Sequence, residues 1–380
     1  MSDVDAFRAE VRAWLDAHVP RDLRGATLAD ADDPARLAAL RAWNAALADA
    51  GYAGLAWPAE YGGRAASVEE QVVLAEELSR AEAPPSLNPI GLSNIAPAIM
   101  TYGTDAQRAR HLRRMLRADD IWCQGFSEPD AGSDLASLRT SAVLDGDHFV
   151  VNGQKVWTTL GHVADWCELL VRTHPSAPKH KGISALLVDM TLPGIEVQPL
   201  VTITGDREFN ALFFTDVRVP VECLLGPVNE GWRVAVTTLA NERAGVANLH
   251  LSHGKKLARV LAAASANGAA SDAVDRQRLA SAVTDHRLLE LLAGRAVSRA
   301  AAGQPPGPEG SLAKLVWSLA GQDLAETAGA VLGEEGLSGD WGRDALYSRS
   351  LTIAGGTTEV NKNLLAERIL GLPRDVAPPS

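Results

Sequence analysis

Two segments decide how the rest of the 380-residue chain is read: Gly125-Phe126-Ser127-Glu128-Pro129-Asp130-Ala131-Gly132-Ser133-Asp134 and Asn152-Gly153-Gln154-Lys155-Val156-Trp157-Thr158-Thr159. The first crowds hydroxyls, glycines and acids into a turn-rich stretch directly after a strand-like run. Gly132 lets a backbone come close to a ligand. Ser127 and Ser133 offer hydroxyl donors and acceptors. Taken alone, the same stretch also reads as a surface turn with Asx-type hydrogen bonds. In the second segment Trp157 and Thr159 stand two residues apart, which in a strand places them on one face. That is a flat plate beside a hydroxyl, suited to lie under a heterocycle. Taken alone, the Trp reads equally as part of a β core.

Around these segments the pattern is that of strands. Thr140–Leu144, the turn Asp145-Gly146-Asp147 and His148–Val151 predict a hairpin. Asn152-Gly153 is a second tight-turn signal ahead of Gln154–Thr159. Trp166–Thr173, Gly182–Asp189, Ile195–Leu200 and Glu208–Val217 are further strand candidates. Short strands with regular turns argue a compact β domain.

Helices flank it on both sides. Upstream, Phe7, Val11, Trp14, Leu15 and His18 form an amphipathic stripe. Asp33-Pro34 reads as a helix start, and Ser67-x-x-Glu70 is a capping box opening a helix through Ala81. Downstream, Gly231 to about Ser265 reads as one long helix and Asp272 to Ala302 as another. Gly303–Gly310 is a loop, followed by helices over Ser311–Leu332 and Thr358–Leu370. The expected architecture is a helical N-terminal domain over residues 1–120, a middle, barrel-like β domain over 121–228, and a C-terminal four-helix bundle over 229–380, a multi-domain α+β chain.

Composition bounds the function classes. Residues are 46% hydrophobic and 5% aromatic, and the apolar share is mostly Ala, Leu and Val, which favours helix. The formal net charge of −11 argues against nucleic acid, whose phosphates require a basic footprint. Cys123, Cys167 and Cys223 lie far apart and form no CxxC, and the histidines show no HExxH, so neither a disulfide framework nor a metal site is expected. Residues 83–104 carry no charge, but Pro84, Pro85, Pro89 and Pro97 break them, so they read as a buried loop and short helix, not a membrane span. Met1–Asp5 lacks the basic and apolar regions of a secretory signal. The expected setting is cytoplasmic and reducing.

The two opening segments together resemble those of the acyl-CoA dehydrogenase family, which carries a T/S-E-P-x-A-G-S-D segment and, about 20 residues later, N-G-x-K-x-W-x-T/S. The resemblance extends to Trp57-Pro58-Ala59-Glu60-Tyr61-Gly62-Gly63, Phe214-Thr215-Asp216-Val217-Arg218-Val219-Pro220, Ala354-Gly355-Gly356-Thr357-Thr358-Glu359 and Glu367-Arg368. It implies non-covalent FAD, an acyl-CoA substrate, an electron-transfer flavoprotein as electron acceptor, and a homo-tetramer or mixed tetramer. By position it implies that Phe126 belongs to the FAD site, Ser127 meets the flavin ring, Trp157 covers a flavin face, and Thr159 reaches the N5 region. Ser133 then falls where the flavin pyrophosphate and the substrate's pantetheine pass, Gly132 belongs to the same FAD site, and Thr357 and Glu359 lie near the adenine half, in a neighbouring subunit.

The chain departs from the family at two places. Many members carry the catalytic base as Glu immediately before Gly-Thr in the C-terminal loop, where this chain has Gly355. A minority place it on the first long C-terminal helix, and Asn241-Glu242-Arg243 aligns there. Glu242 is therefore the expected base and Arg243 a residue beside the substrate, with Glu128 and Glu60 as lesser candidates. An empty position 355 also leaves room for branched or bulky acyl groups. The second departure is in the segments with which many members grip a neighbour's FAD. Here they read Arg276-Gln277-Arg278-Leu279-Ala280 and Ala330-Val331-Leu332-Gly333-Glu334-Glu335-Gly336, without the usual Phe-Gly and Gln. This pattern resembles actinobacterial members acting on large or sterol-derived acyl chains. Three alternatives stay open on the sequence: a non-catalytic or FAD-sharing subunit of a mixed tetramer, a flavin oxidase on the same fold, and a carrier-protein thioester as substrate.

Overall fold

The computed structural model describes residues 3–244, 249–304, 307 and 309–373, the side chains of residues 242–244 and 309 excepted. It divides into two compact units, residues 1–242 and 243–380.

In the first unit α1 (Asp3–His18) buries Phe7, Val11 and Leu15, as the helical spacing predicts. Asp33 caps α2 (Pro34–Asp49) by accepting from the amides of Ala35 and Arg36. Ser67 and Glu70 form the expected capping box of α3 (Val68–Arg80). Glu77 of α3 is buried among Arg8, Arg12 and Arg80. The Arg12 hydrogen bonds lead in holding its carboxyl down to about 2, against the opposing effect of burial. A single π-turn over Gly91–Ile95 runs into α4 (Ala96–Tyr102), and residues 83–104 are largely buried. α5 (Asp105–Leu116), with its own Thr104–Gln107 capping box, is a further helix.

The Trp57–Gly63 loop is a close-packed turn. Trp57 Nε1 donates to the Leu92 carbonyl at 3.2 Å. A Cβ on Gly63 would stand 2.1 Å from the Trp57 carbonyl oxygen. Gly63→Ala is therefore expected to destabilise by about 1–3 kcal/mol, since a main-chain atom must shift. Thermal melting checks this.

The strands are β1 (Trp122–Gly125), β2 (Ser141–Asp145), β3 (His148–Thr159), β4 (Trp166–Arg172), β5 (Ile183–Asp189), β6 (Ile195–Leu200), β7 (Phe209–Pro220) and β8 (Leu224–Leu225). They form one sheet in the order β6-β7-β3-β2-β4-β5-β8, with β1 paired in parallel to β4. The sheet separates two cores. Trp122, Leu170, Ala185 and Leu187 pack into the core shared with the helices of this unit. Cys123, Cys167, Leu169, Val171 and Leu186 pack into a core made wholly by the β domain. Cys123 and Cys167 face each other across β1 and β4, both buried and both free thiols. Cys223, in a short turn before β8, is half-buried, and burial pushes its thiol up to about 11.

The β2–β3 hairpin forms as predicted, with Asp145 opposite His148. Asn152-Gly153, read from the sequence as a second turn, is instead a bulge inside a continuous β3. The register shifts between Val151 and Gly153, and Gly153 takes φ +145°. The Asn152 side chain accepts from the Asp216 amide and donates to the Asp216 carboxylate, bridging the bulge to β7. After β8 comes α6 (Gly231–Ala244).

The second unit contains α7 (Leu249–Ala266), α8 (Ala273–Ala301), α9 (Glu309–Leu332), α10 (Gly339–Ser348) and α11 (Thr358–Arg368). Leu257, Val260, Ala264, Leu279, Ala282, Leu324, Ala328 and Val331 form its core. Of the helix predicted over Gly231–Ser265, α6 and α7 are described, and residues 245–248 between them lie outside the described residues. α10 is a further helix. Among the described residues no helix is long and apolar enough to cross a membrane, and no cluster of three or more His, Cys, Asp or Glu could hold a metal ion.

Candidate active site

The two segments singled out in the sequence meet at the end of β1. Lys155 on β3 is fully buried, and its ammonium donates to the Phe126 carbonyl at 3.0 Å and to the Glu128 carboxylate at 2.9 Å. Glu128 turns inward and also accepts from the amides of Arg139 (2.7 Å) and Thr140 (2.8 Å). The Val156 amide donates to the Ser127 carbonyl at 2.9 Å. Burial pushes the Glu128 carboxyl up, but the charge of Lys155 and these donors outweigh it and hold the group below its ordinary range. Burial lowers the Lys155 ammonium to about 8, with Glu128 opposing the shift. The pair is thus ionised at neutral pH and fixes the shape of the 126–134 segment. Glu128 is wholly engaged in this framework, and Glu60 is exposed on the Trp57 loop.

What the framework presents is a ledge. Phe126 is buried and Ser127 half-buried, while Gly132 and Ser133 are exposed. No atom lies within 4 Å of where a Cβ on Gly132 would stand. On β3 the register slips again between Lys155 and Thr158, and Trp157 takes a left-handed backbone, φ +62°. Strict alternation would place Trp157 with the buried Lys155. The bulge instead leaves the indole 60% exposed, with Phe209 edge-on at 5.8 Å. The period-two argument that paired Trp157 with Thr159 is therefore interrupted at Trp157. Thr158 is buried and Thr159 half-buried.

α6 is tied to the sheet by Thr238, whose Oγ1 lies 3.0 and 3.2 Å from the carboxyl oxygens of Glu168 on β4. Glu168 is completely buried, and burial raises its carboxyl to about 8. Sequence reasoning missed it; the available signal was a lone acid inside the apolar run Trp166–Val171. Glu242 and Arg243 fall in the last turn of α6, and their side chains lie outside the described residues.

In the second unit Thr357 caps α11 by accepting from the Val360 amide, and Glu359 is exposed in the first turn. Gly355 and Gly356 both take left-handed backbones, φ +65° and +91°. A glutamate at 355 would be strained in this loop, so the missing acid accompanies a backbone that suits glycine.

A helical N-terminal region, a middle β-sheet domain and a helical C-terminal region, with an exposed indole and hydroxyls along one sheet end, define an oxidoreductase of the acyl-CoA dehydrogenase fold. Family models for the N-terminal, middle and C-terminal domains of acyl-CoA dehydrogenases match residues 2–119, 123–217 and 229–370. The chain belongs to the acyl-CoA dehydrogenase family. It is 41% identical to "Acyl-CoA dehydrogenase IpdE1" of Mycobacterium tuberculosis, the match covering 99% of each chain. Among solved structures it resembles "Tcur3481-Tcur3483 steroid ACAD", with a TM-score of 0.86 and 31% identity over 99% of both chains. It also resembles the ChsE4-ChsE5 complex from Mycobacterium tuberculosis, with a TM-score of 0.83 and 32% identity over 99% of both chains.

Proposed function

We propose that the chain dehydrogenates a bulky acyl-CoA thioester between its α and β carbons, with Glu242 removing the α proton. The observation that carries this reading is the ledge: an indole held out to solvent on a left-handed residue of β3, the strand tied to the 126–134 segment, whose Gly132 and Ser133 are exposed. Its parts fit FAD. Trp157 offers a flat face, Ser127 and Thr159 offer polar groups at its edge, and Phe126 backs the turn. Gly132 and Ser133 leave the backbone open to a pyrophosphate. FAD, when bound, supplies a hydride acceptor for the β carbon.

The remaining work falls to the chain. A thioester α C–H is a weak acid, so the base must be held close to it and its pKa matched to the operating pH. Gly355 has no side chain to act, which leaves Glu242. Arg243 and Ser133 are assigned to the CoA portion, and Thr357 and Glu359 to the adenine half of FAD bound with a neighbouring subunit. Electrons then pass to an electron-transfer flavoprotein. Two similar structures carry names that pair two different proteins. Together with the departures at 276–280 and 330–336, this supports a mixed tetramer over a homo-tetramer. The word steroid in one of those names, and the empty position 355, support a polycyclic or branched acyl group.

The test is anaerobic flavin bleaching with a panel: short and long straight-chain acyl-CoAs, isovaleryl-CoA, and steroid side-chain and ring-derived acyl-CoAs. The protein is expressed with and without a co-encoded homologue. Bleaching by the polycyclic members is expected. Bleaching by short straight chains alone would sink the substrate assignment. A colourless protein that never bleaches would favour a FAD-sharing, non-catalytic subunit. Trp157→Ala tests the ledge separately. As an exposed position it is expected to change stability by only about ±0.5 kcal/mol, while FAD separates from the variant on gel filtration.

A further inference from the structure

Glu168 is an acid without a counter-charge in a place where an acid is costly. It has no ion pair among the described residues, and its sheet partners are Gln124 on β1 and Leu187 on β5. The Gln124 amide nitrogen is buried and makes no hydrogen bond to it. Among the described residues its side-chain hydrogen bonds run to α6 alone, to Thr238 Oγ1, which also lies 3.3 Å from the Val234 carbonyl. Thr238 is itself fully buried.

A hydroxyl has one proton to give. With Glu168 neutral, its O–H donates to Thr238 Oγ1 and the Thr238 hydroxyl donates to the Val234 carbonyl, so each group is satisfied. With Glu168 ionised, the hydroxyl must turn from Val234 to the carboxylate, and a charge is left buried with no cation among the described residues. Glu242 lies one helical turn beyond Thr238 on α6.

We propose that Glu168 is a positioning residue: its buried carboxyl holds Thr238 and so sets the turn of α6 that bears Glu242. This rests on Glu242 being the base. A displacement of the base by even an ångström is felt in the chemical step more than in substrate binding.

The direction of the pH effect follows from the raised carboxyl. Glu168 moves from the ordinary 4.5 up to about 8. Its contribution to stability is therefore full below about 4.5 and lost as pH rises through about 8. Stability is therefore expected to decline between about 4.5 and 8 and the rate of flavin bleaching to fall through about 8, and the isosteric, uncharged Glu168→Gln should remove both.

The experiment uses FAD-loaded protein and the panel member that bleaches it fastest. Thr238→Val, which keeps the shape and removes the hydroxyl, is expected to slow bleaching about tenfold, with half-saturation changed by less than about twofold. Glu168→Gln, which cannot ionise, is expected to hold its own neutral-pH rate beyond pH 8, where the wild-type rate declines. Infrared titration of the same samples should show a protonated-carboxyl C=O band in wild type that fades through about pH 8 and is absent from Glu168→Gln. A folded Thr238→Val variant with the wild-type rate overturns the proposal. So does an alkaline decline that survives unchanged in Glu168→Gln. If Thr238→Val does not fold, the Glu168→Gln pH profile and infrared band decide alone. Glu242→Gln separates the two readings: if it bleaches normally the base is elsewhere, whatever the Thr238 and Glu168 variants do.

Discussion

Glu242→Gln is expected to slow flavin bleaching by acyl-CoA about 10²–10⁴-fold, the usual contribution of a positioned base, while the protein stays yellow. Glutamine keeps the size and hydrogen-bonding edge of the side chain and removes its ability to take a proton. Because the ledge is built by Lys155, Glu128 and Trp157, FAD content should not change. A companion variant sharpens the result. Restoring the acid where many relatives carry it, as Gly355→Glu in the Glu242→Gln background, is expected not to restore activity. Position 355 sits at φ +65°, a conformation that side chains with a Cβ rarely adopt. A Glu242→Gln protein that bleaches at a near-normal rate would overturn the assignment of the base.

Lys155→Met is expected to be the most destabilising single change in the β domain. It removes the cation from a buried pair and leaves the Glu128 carboxylate without a counter-charge, which costs about 3–5 kcal/mol. It also removes the donor to the Phe126 carbonyl, so the ledge should lose its shape and the variant its FAD. Urea unfolding followed by tryptophan fluorescence measures the first effect, and flavin content the second. Lys155→Met combined with Glu128→Gln should recover part of the loss, since the stranded charge is then gone. If the single variant unfolds at the wild-type urea concentration, the pair is not what holds the segment.

The same residues mark where reading the sequence succeeds and where it stops. The capped helix starts at Asp33 and Ser67 and the β2–β3 hairpin depend on local residue types, and all were legible. The bulges were not. Asn152-Gly153 makes a turn or a bulge according to what faces it, and here Asp216, 64 positions away, holds the bulge. At Trp157 strict alternation predicts a shared face with Thr159, and a left-handed residue breaks the period. Lys155 was visible as part of a motif, but its partner lies 27 positions earlier, so its role required the fold. Glu168 is harder still. β4 is buried on both faces, so no alternation distinguishes its sides, and Thr238 comes from a distant helix. The side chain of Glu242 lies outside the described residues, and its role rests on alignment and on what Gly355 cannot do.

The opposed thiols of Cys123 and Cys167 give the sheet a built-in clock. Both are wholly buried, and Cys223, with its thiol raised to about 11, reacts slowly even where solvent reaches it. A thiol-specific reagent can reach the first two only when the β-domain core opens at the β1–β4 seam or around it. Their labelling rate in native buffer therefore reports how often that seam opens below the threshold of global unfolding. Since β1 leads straight into Phe126 and Ser127, any ligand that fastens onto this end of the sheet should slow the clock, and the slowing can be read by mass alone, without colour or turnover.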